Sequence, residues 1–391
     1  MTSTLIEGAI GIFTGLPGDA MRARGSIRIA GGRILEVGDL PRKPGEDVID
    51  ASGCVIYPGL ISTHHHLLQS VLKAVRPGLD SPLFAWLRHV PYRFWRKLDE
   101  DALRVSAEIG LVELLLSGTT TAADHHYVFA EHYRFDPASV IFETARKLGI
   151  RLVLCRGGAT RSRSFDTPET AEMPTEKLDT MLASIEACAA RYHDLAPDSL
   201  SRVVLAPTSP PYSVDPGELK TIIAAARTMK LRVHSHLSET SDYVDFCLEH
   251  FGKRPIHWMA DHDWLGSDIW FAHLVHLDEE EIRVMAQTGT GMAHCPQSNC
   301  RLGSGIAPAD RLAALGGAVS IGVDGAASNE AADMVSEMHS CWHTHRAVKG
   351  ASAVLVEDVV RWSTAGGARV LGWPEVGTLA PGQLADIAIF D

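Results

Sequence analysis

Residues 58–74 read PGLISTHHHLLQSVLKA, an apolar run that ends in three consecutive histidines, His64, His65 and His66. Two readings compete for the tripeptide. One is a polar loop that uses histidine as a small amphipathic side chain. The other is half of a metal site: alternate residues of a strand face the same way, so His64 and His66 point together and His65 points elsewhere. Partners elsewhere in the chain have to choose between them.

Beyond this stretch the texture is strand, loop, helix, repeated. Candidate buried strands are VIYPGLIST (55–63), TTTAAD (119–124), IRLVLCR (150–156), RVVLAPT (202–208), LRVHSHL (231–237), DIWFAHL (268–274), GTGMAHC (289–295) and AVSIGVD (318–324). Helical-period segments such as DALRVSAEIGLVELLLSG, TEKLDTMLASIEACAARYH and PGELKTIIAAARTMK separate most of them. That alternation predicts an α/β chain folded as a (β/α)8 TIM barrel. The two ends differ from the middle. SIRIAGGRILEVGD alternates around Gly31-Gly32, a hairpin signal, and the final GTLAPGQLADIAIFD has the same texture. A small β-sandwich domain from residues 1–54 and 366–391 is therefore expected to accompany a catalytic barrel over 55–365.

The bulk numbers bound the function. The chain has 391 residues, 46% hydrophobic and 21% charged, with net charge −12, which disfavours nucleic acid or an anionic membrane as partner. The DEEE run at 278–281 reads as a helix N-terminus. Seven scattered cysteines fit a reducing compartment rather than a disulfide framework. The start lacks a secretory pattern, and no segment approaches the ~18 consecutive apolar residues of a membrane helix. A cytoplasmic protein is expected. Barrels with apolar helix faces often associate, so a homo-oligomer is expected as well.

In a barrel the C-terminal ends of the strands share one mouth, where active sites are built. The first strand brings His64, His65 and His66 there; the fifth brings His234 and His236, followed by Glu239; the sixth brings His273 and the eighth Asp324. Three imidazoles and a carboxylate suit Zn²⁺ or another divalent first-row ion. A single such histidine would be a structural residue or a helix cap; the ordered set points to one metal site.

PGLISTHHH, HSHLSET, FAHLVHL, HCPQSNCRLGSGIAP and SIGVDGAASN resemble, in that order, the motifs of the amidohydrolase superfamily. The match is to its mononuclear aminohydrolase branch, which holds cytosine, guanine, 8-oxoguanine and isoxanthopterin deaminases and the triazine hydrolases. The resemblance implies His64, His66, His236 and Asp324 as ligands of one divalent ion, Zn²⁺ or Fe²⁺. It implies Glu239 as proton shuttle and His273 as catalytic histidine, with Asp324 also serving in catalysis. His65 is extra to the family pattern, and the chain stops at Asp391 where members of the branch continue. The fourth strand runs into RVVLAPTSPPYSV with no lysine or acid before Asp215, which favours one metal over two.

The implied function is a hydrolytic deaminase that uses water to release ammonia from an amidine-like carbon of a bicyclic heterocycle, a pterin such as isoxanthopterin. An 8-oxoguanine or guanine deaminase and an s-triazine amino- or chlorohydrolase are the alternatives; a non-catalytic scaffold would have no use for Glu239 and His273. Expected substrate-binding residues are Gln69 in HLLQ, Arg156 in LCRGG, Ser209 and Tyr212 after the fourth strand, Trp86 in the long first loop and His126 after the second strand, with Phe84 and His125 as further candidates. Cys295 and Cys300 in HCPQSNC are assigned no metal, because no second pair completes a tetrahedron. His294 is read as a rim residue, and His339, His343 and His345 in HSCWHTH as structural or interface residues.

Overall fold

The computed structural model describes residues 3–162 and 173–391. Eight parallel strands form its central sheet: β1 (Leu60–His65), β2 (Thr119–His126), β3 (Arg151–Gly158), β4 (Ser201–Pro207), β5 (Val233–Leu237), β6 (Ile269–His273), β7 (Gly291–His294) and β8 (Ala318–Ile321). Each is hydrogen-bonded to the next in chain order, the neighbour-to-neighbour pattern of repeated strand–helix–strand units. The ring closes where a parallel bridge joins His65 to Asp324 and the Asp324 N–H donates to the His64 carbonyl at 3.1 Å. The TIM barrel read from the alternation is the fold.

Local chemistry explains the helices around it. Asp99 caps Glu100–Leu116 by accepting from Ala102 N, and Asp136 caps Pro137–Leu148 by accepting from Ala138 N. The acidic run at 278–281 does open a helix: Asp278 and Glu281 form a capping box at the start of Glu279–Thr288. Among the described residues no helix is long and apolar enough to cross a membrane.

The strand expected over 55–63 is two strands. Val55–Pro58 pairs antiparallel with Ile387–Phe390 and parallel with Gly11–Phe13, whereas β1 begins at Leu60. The break falls at Gly59, where a Cβ would lie 2.1 Å from Thr120 Oγ1, so only glycine lets the chain pass. The N- and C-terminal segments thus share one four-stranded sheet. It packs with a second, in the order Arg33–Gly38, Ser26–Ala30, Thr4–Glu7, Asp47–Asp50, around Ile6, Ile12, Ile27, Ile34, Ile56 and Leu379. The Ser26–Ala30/Arg33–Gly38 pair turns through Gly31 and Gly32, both at positive φ (58° and 73°), the turn that matches strand twist.

Between β1 and Glu100–Leu116 a long connection carries the short helices Leu83–His89 and Pro91–Phe94. Leu83, Trp86, Leu87, Val90 and Tyr92 pack there against Leu302 and Ala327, so this loop forms a roof over the C-terminal mouth of the barrel.

Candidate functional site

Four residues at that mouth sit in the left-handed region without being glycine: Ser238 (φ 50°), His273 (φ 71°), Leu274 (φ 53°) and Asp324 (φ 58°). Each follows or ends a barrel strand, and such strain persists only where surrounding contacts over-determine it.

Backbone carbonyls set the tautomers of the imidazoles. His66 Nδ1 donates to the His125 carbonyl at 2.7 Å and His236 Nδ1 to the Thr208 carbonyl at 2.6 Å. Both Nε2 atoms are therefore bare lone pairs, and they face each other at 3.1 Å. His64 reaches the same state through a relay. His234 Nδ1 donates to the Trp270 carbonyl at 3.0 Å, so His234 Nε2 accepts from His64 Nδ1 at 2.8 Å. That leaves His64 Nε2 buried with no hydrogen-bond partner. Asp324 Oδ1 lies 3.3 Å from Nε2 of both His64 and His66.

Three lone pairs and a carboxylate oxygen thus converge with no proton among them. Such an acceptor-only cluster is repulsive by itself and complementary to a cation, and outer partners that fix each ring are what metal-ligating histidines require. One ligand atom from each of His64, His66, His125 and His236 lies within 4.8 Å of the others, and the same holds for His64, His273 and Asp324. His125 differs from the rest because its Nε2 is tied to the Ala206 carbonyl at 2.8 Å. The donor set fits one divalent ion. His65 is turned away, with Nδ1 on the Asp324 carbonyl at 2.5 Å.

Asp324 is fixed from behind. Ser298 Oγ donates to its Oδ2 at 2.6 Å and Ser328 Oγ at 3.2 Å, which leaves Oδ1 for the cluster. Burial works to raise the carboxyl pKa, but His273, His66 and the Ser298 hydroxyl outweigh it and hold the group well below the usual range, ionised. Gly322, two residues earlier, passes so close to His64 that a Cβ would lie 2.7 Å from the His64 Cβ.

The neighbouring residue of Ser298 holds the other polar pair. Asn299 Oδ1 accepts from His273 Nδ1 at 2.9 Å, and His273 Nε2 then faces Glu239 Oε2 at 3.6 Å. Both Ser298 and Asn299 ride on one short helix, Pro296–Arg301, whose Gln297 N–H donates to the buried Glu337 carboxyl at 2.9 Å.

Next to these residues is a cavity lined by His66, Gln69, Phe84, Trp86, Ser209, Tyr212, His236, Glu239, His273 and Asp324. Tyr92, Tyr127, Thr208, Tyr243 and Leu302 also line it and were not singled out from the sequence. Tyr127, directly after the histidines that end β2, could have been picked by its rim position; Thr208 acts through its carbonyl, which no side-chain pattern reports. Gln69 donates from Nε2 to Tyr127 Oη at 3.1 Å, and its Oε1 is buried without a partner. A Cβ on Gly325 would lie 1.9 Å from that oxygen, so glycine there makes room for the amide.

Two expected contacts fall outside the cavity. Arg156 turns to the outside of the barrel wall, where its guanidinium pairs with Glu176 at 2.6 and 2.7 Å and stacks over Phe129 at 3.9 Å. His126 turns outward as well, with Nε2 at 3.0 Å from the Val128 carbonyl. Strand alternation is the reason: on β2 His125 takes the inward position, so His126 cannot.

The model of the amidohydrolase family matches residues 55–391. An isoxanthopterin deaminase from an unknown prokaryotic organism is 50% identical over 407 residues, covering 99% of this chain and 84% of that protein. An 8-oxoguanine deaminase from Pseudomonas aeruginosa is 38% identical over 393 residues, covering 100% of this chain and 86% of that protein. Among solved structures, an atrazine chlorohydrolase from Arthrobacter aurescens complexed with zinc superimposes with a TM-score of 0.91 at 28% identity, covering 99% of this chain and 86% of the other.

Proposed function

The chain belongs to the amidohydrolase family, hydrolases of carbon–nitrogen bonds, and from that membership we propose that it is a metal-dependent hydrolytic deaminase of a bicyclic heterocycle, a pterin such as isoxanthopterin. The observation that carries the reading is the Glu239–His273 pair, 3.6 Å apart, beside an acceptor-only set of three imidazoles and a carboxylate.

His64, His66, His236 and Asp324 would hold one divalent ion; the chlorohydrolase carries zinc, and Zn²⁺ or Fe²⁺ suits this donor set. When bound, such an ion would supply Lewis acidity that brings the pKa of water toward neutrality. Asp324 Oδ1 and His273 Nε2 orient the attacking water and accept its proton. With Nδ1 committed to Asn299, Nε2 is the basic atom of His273. Glu239 protonates the ring nitrogen as the C–O bond forms, so charge does not build up there. As the adduct collapses, the proton that Asp324 and His273 took from water passes to the departing amine, and the adduct's O–H proton restores Glu239. The balance is water plus C(–NH2)=N– giving C(=O)–NH– and ammonia.

The cavity supports a flat substrate. Phe84, Trp86, Tyr212 and Tyr243 supply ring faces, and Trp86 is locked by donating from Nε1 to the Ala327 carbonyl at 3.1 Å. Because Tyr127 occupies the Gln69 amide nitrogen, Oε1 is left to accept from a ring N–H or amino group. Ser209 adds a hydroxyl to the rim.

The test is ammonia release by zinc-loaded protein from isoxanthopterin, pterin-6-carboxylate, 8-oxoguanine, guanine, cytosine and an aminotriazine. Turnover of a pterin above the purines is expected. Preference for 8-oxoguanine would move the protein toward its 38% identical relative, and silence across the pterins and purines would overturn the proposal.

A further inference from the structure

We propose that His294, Cys341 and His345 form a second, buried metal site for a borderline-soft divalent ion such as Zn²⁺, behind the barrel wall and separate from the mouth. The sequence scatters these residues between a rim histidine and a helix, and nothing in the deaminase chemistry uses them.

The fold brings them together. His294 ends β7, and Cys341 and His345 lie one turn apart on the helix Met334–Lys349, a spacing that puts both on one face. All three are fully buried, and one ligand atom from each lies within 4.8 Å of the others. The two Nε2 atoms are 3.3 Å apart. Nitrogens ~2.0–2.1 Å from a tetrahedral zinc stand roughly 3.3–3.4 Å from each other. Behind His345, Asp310 Oδ1 lies 3.6 Å from Nδ1 and is itself held by Lys349 Nζ at 2.6 Å. The carboxylate therefore stands on the Nδ1 side of His345, beyond hydrogen-bond length, where its charge favours a proton on Nδ1 and leaves Nε2 to face the other ligands.

The competing reading is a plain hydrogen bond between two neutral imidazoles over an inert thiol. It accounts for the 3.3 Å contact but gives no role to the buried Cys341 thiol, whose sulfur converges on the same two imidazoles. Burial, then the carboxyl groups of Glu337 and Asp310, push the Cys341 thiol well above its ordinary range, so without a metal it stays protonated. Binding releases the Cys341 Sγ proton to solvent, so uptake strengthens as pH rises.

The site would also staple the helix to β7. The same helix carries Glu337, which holds the N-terminus of Pro296–Arg301 and thereby Ser298 and Asn299.

Cobalt loading of the full chain tests this, because the mouth contains no cysteine ligand while this site does. Two ions per chain and a near-ultraviolet sulfur-to-cobalt charge-transfer band are expected. Cys341→Ser should abolish the band and lower the stoichiometry from two to one, while His64→Ala should lose one ion and keep the band. The exposed face of the same helix holds His339 and His343, ring centroids 3.9 Å apart, but offers no sulfur and gives no such band. One ion per chain without the band in the unmodified protein, or a band that survives Cys341→Ser, would overturn the proposal. The unmodified protein decides by itself if a variant fails to fold.

Discussion

In the terminal sheets Arg28 is 1% exposed, and its guanidinium is fully answered. Nε donates to Glu46 at 2.5 Å, Nη1 to Glu36 at 3.0 Å, and Nη2 to the Pro41 carbonyl at 2.7 Å and Glu46 at 3.2 Å. At the barrel mouth His64 Nε2, Gln69 Oε1 and Asn299 Nδ2 are as deeply buried and have no hydrogen-bond partner within the chain. Burying a polar group without a partner costs free energy, so a fold keeps such atoms only where something else repays them. Arg28 and Glu46 close a structure; the mouth is arranged for what it binds. The difference separates two kinds of buried polar residue that composition and burial alone treat as one.

The most severe way to test the contrast is at the mouth. Glu239→Gln keeps the shape but removes the proton, so kcat should fall by ~10²–10⁴ with the metal content unchanged. Turnover at the unmodified rate would remove Glu239 from the chemistry. His64→Ala, by comparison, should lose the catalytic ion itself, as measured by elemental analysis.

A smaller loss is expected one layer out. Ser298→Ala deletes the 2.6 Å donor that holds Asp324 Oδ2 and leaves Ser328 alone to position it. Metal affinity or activity should drop by roughly 10–100-fold, in line with other outer-sphere partners. Unchanged values for both would mean that Ser328 suffices.

The mildest test is pH, and it separates the two regions by window. Burial, more than any neighbour, holds His65 down to about 4 and His126 and His234 to about 3, from an ordinary 6.5. Below pH 6.5 the unfolded chain takes up protons that the folded chain refuses, so the metal-free protein loses stability as pH falls from 6.5 toward those values. Glu46 behaves differently. Its hydrogen bond to Arg28 holds it down to about 2 from 4.5, so its contribution is intact above 4.5 and disappears as pH falls through about 2. Thermal melts of metal-free protein should therefore show Tm falling already between pH 6.5 and 4.5. Arg28→Met should lower Tm and flatten only the more acidic part, with kcat unchanged. A flat Tm above pH 4.5, or a loss of kcat in Arg28→Met, would erase the distinction.

Much of this was legible in the residue order. Strand–helix alternation dictated a barrel, Gly31-Gly32 a hairpin and DEEE a capped helix start. The spacing of HHH singled out His64 and His66 over His65, because periodicity reports directly which face a side chain takes. Facing direction failed where only the resemblance or a rim position had been used, as with Arg156 and His126. The tertiary structure alone decided the break at Gly59, set by the approach of Thr120, and the relay from Trp270 through His234 to His64. It alone brought His294 to Cys341 and His345. The reason is common to all three. Which ring nitrogen carries a proton depends on a carbonyl of a neighbouring strand, and which residues meet across a wall depends on register between distant segments. Neither a carbonyl's position nor a register leaves a mark on residue type, so only the folded chain displays them.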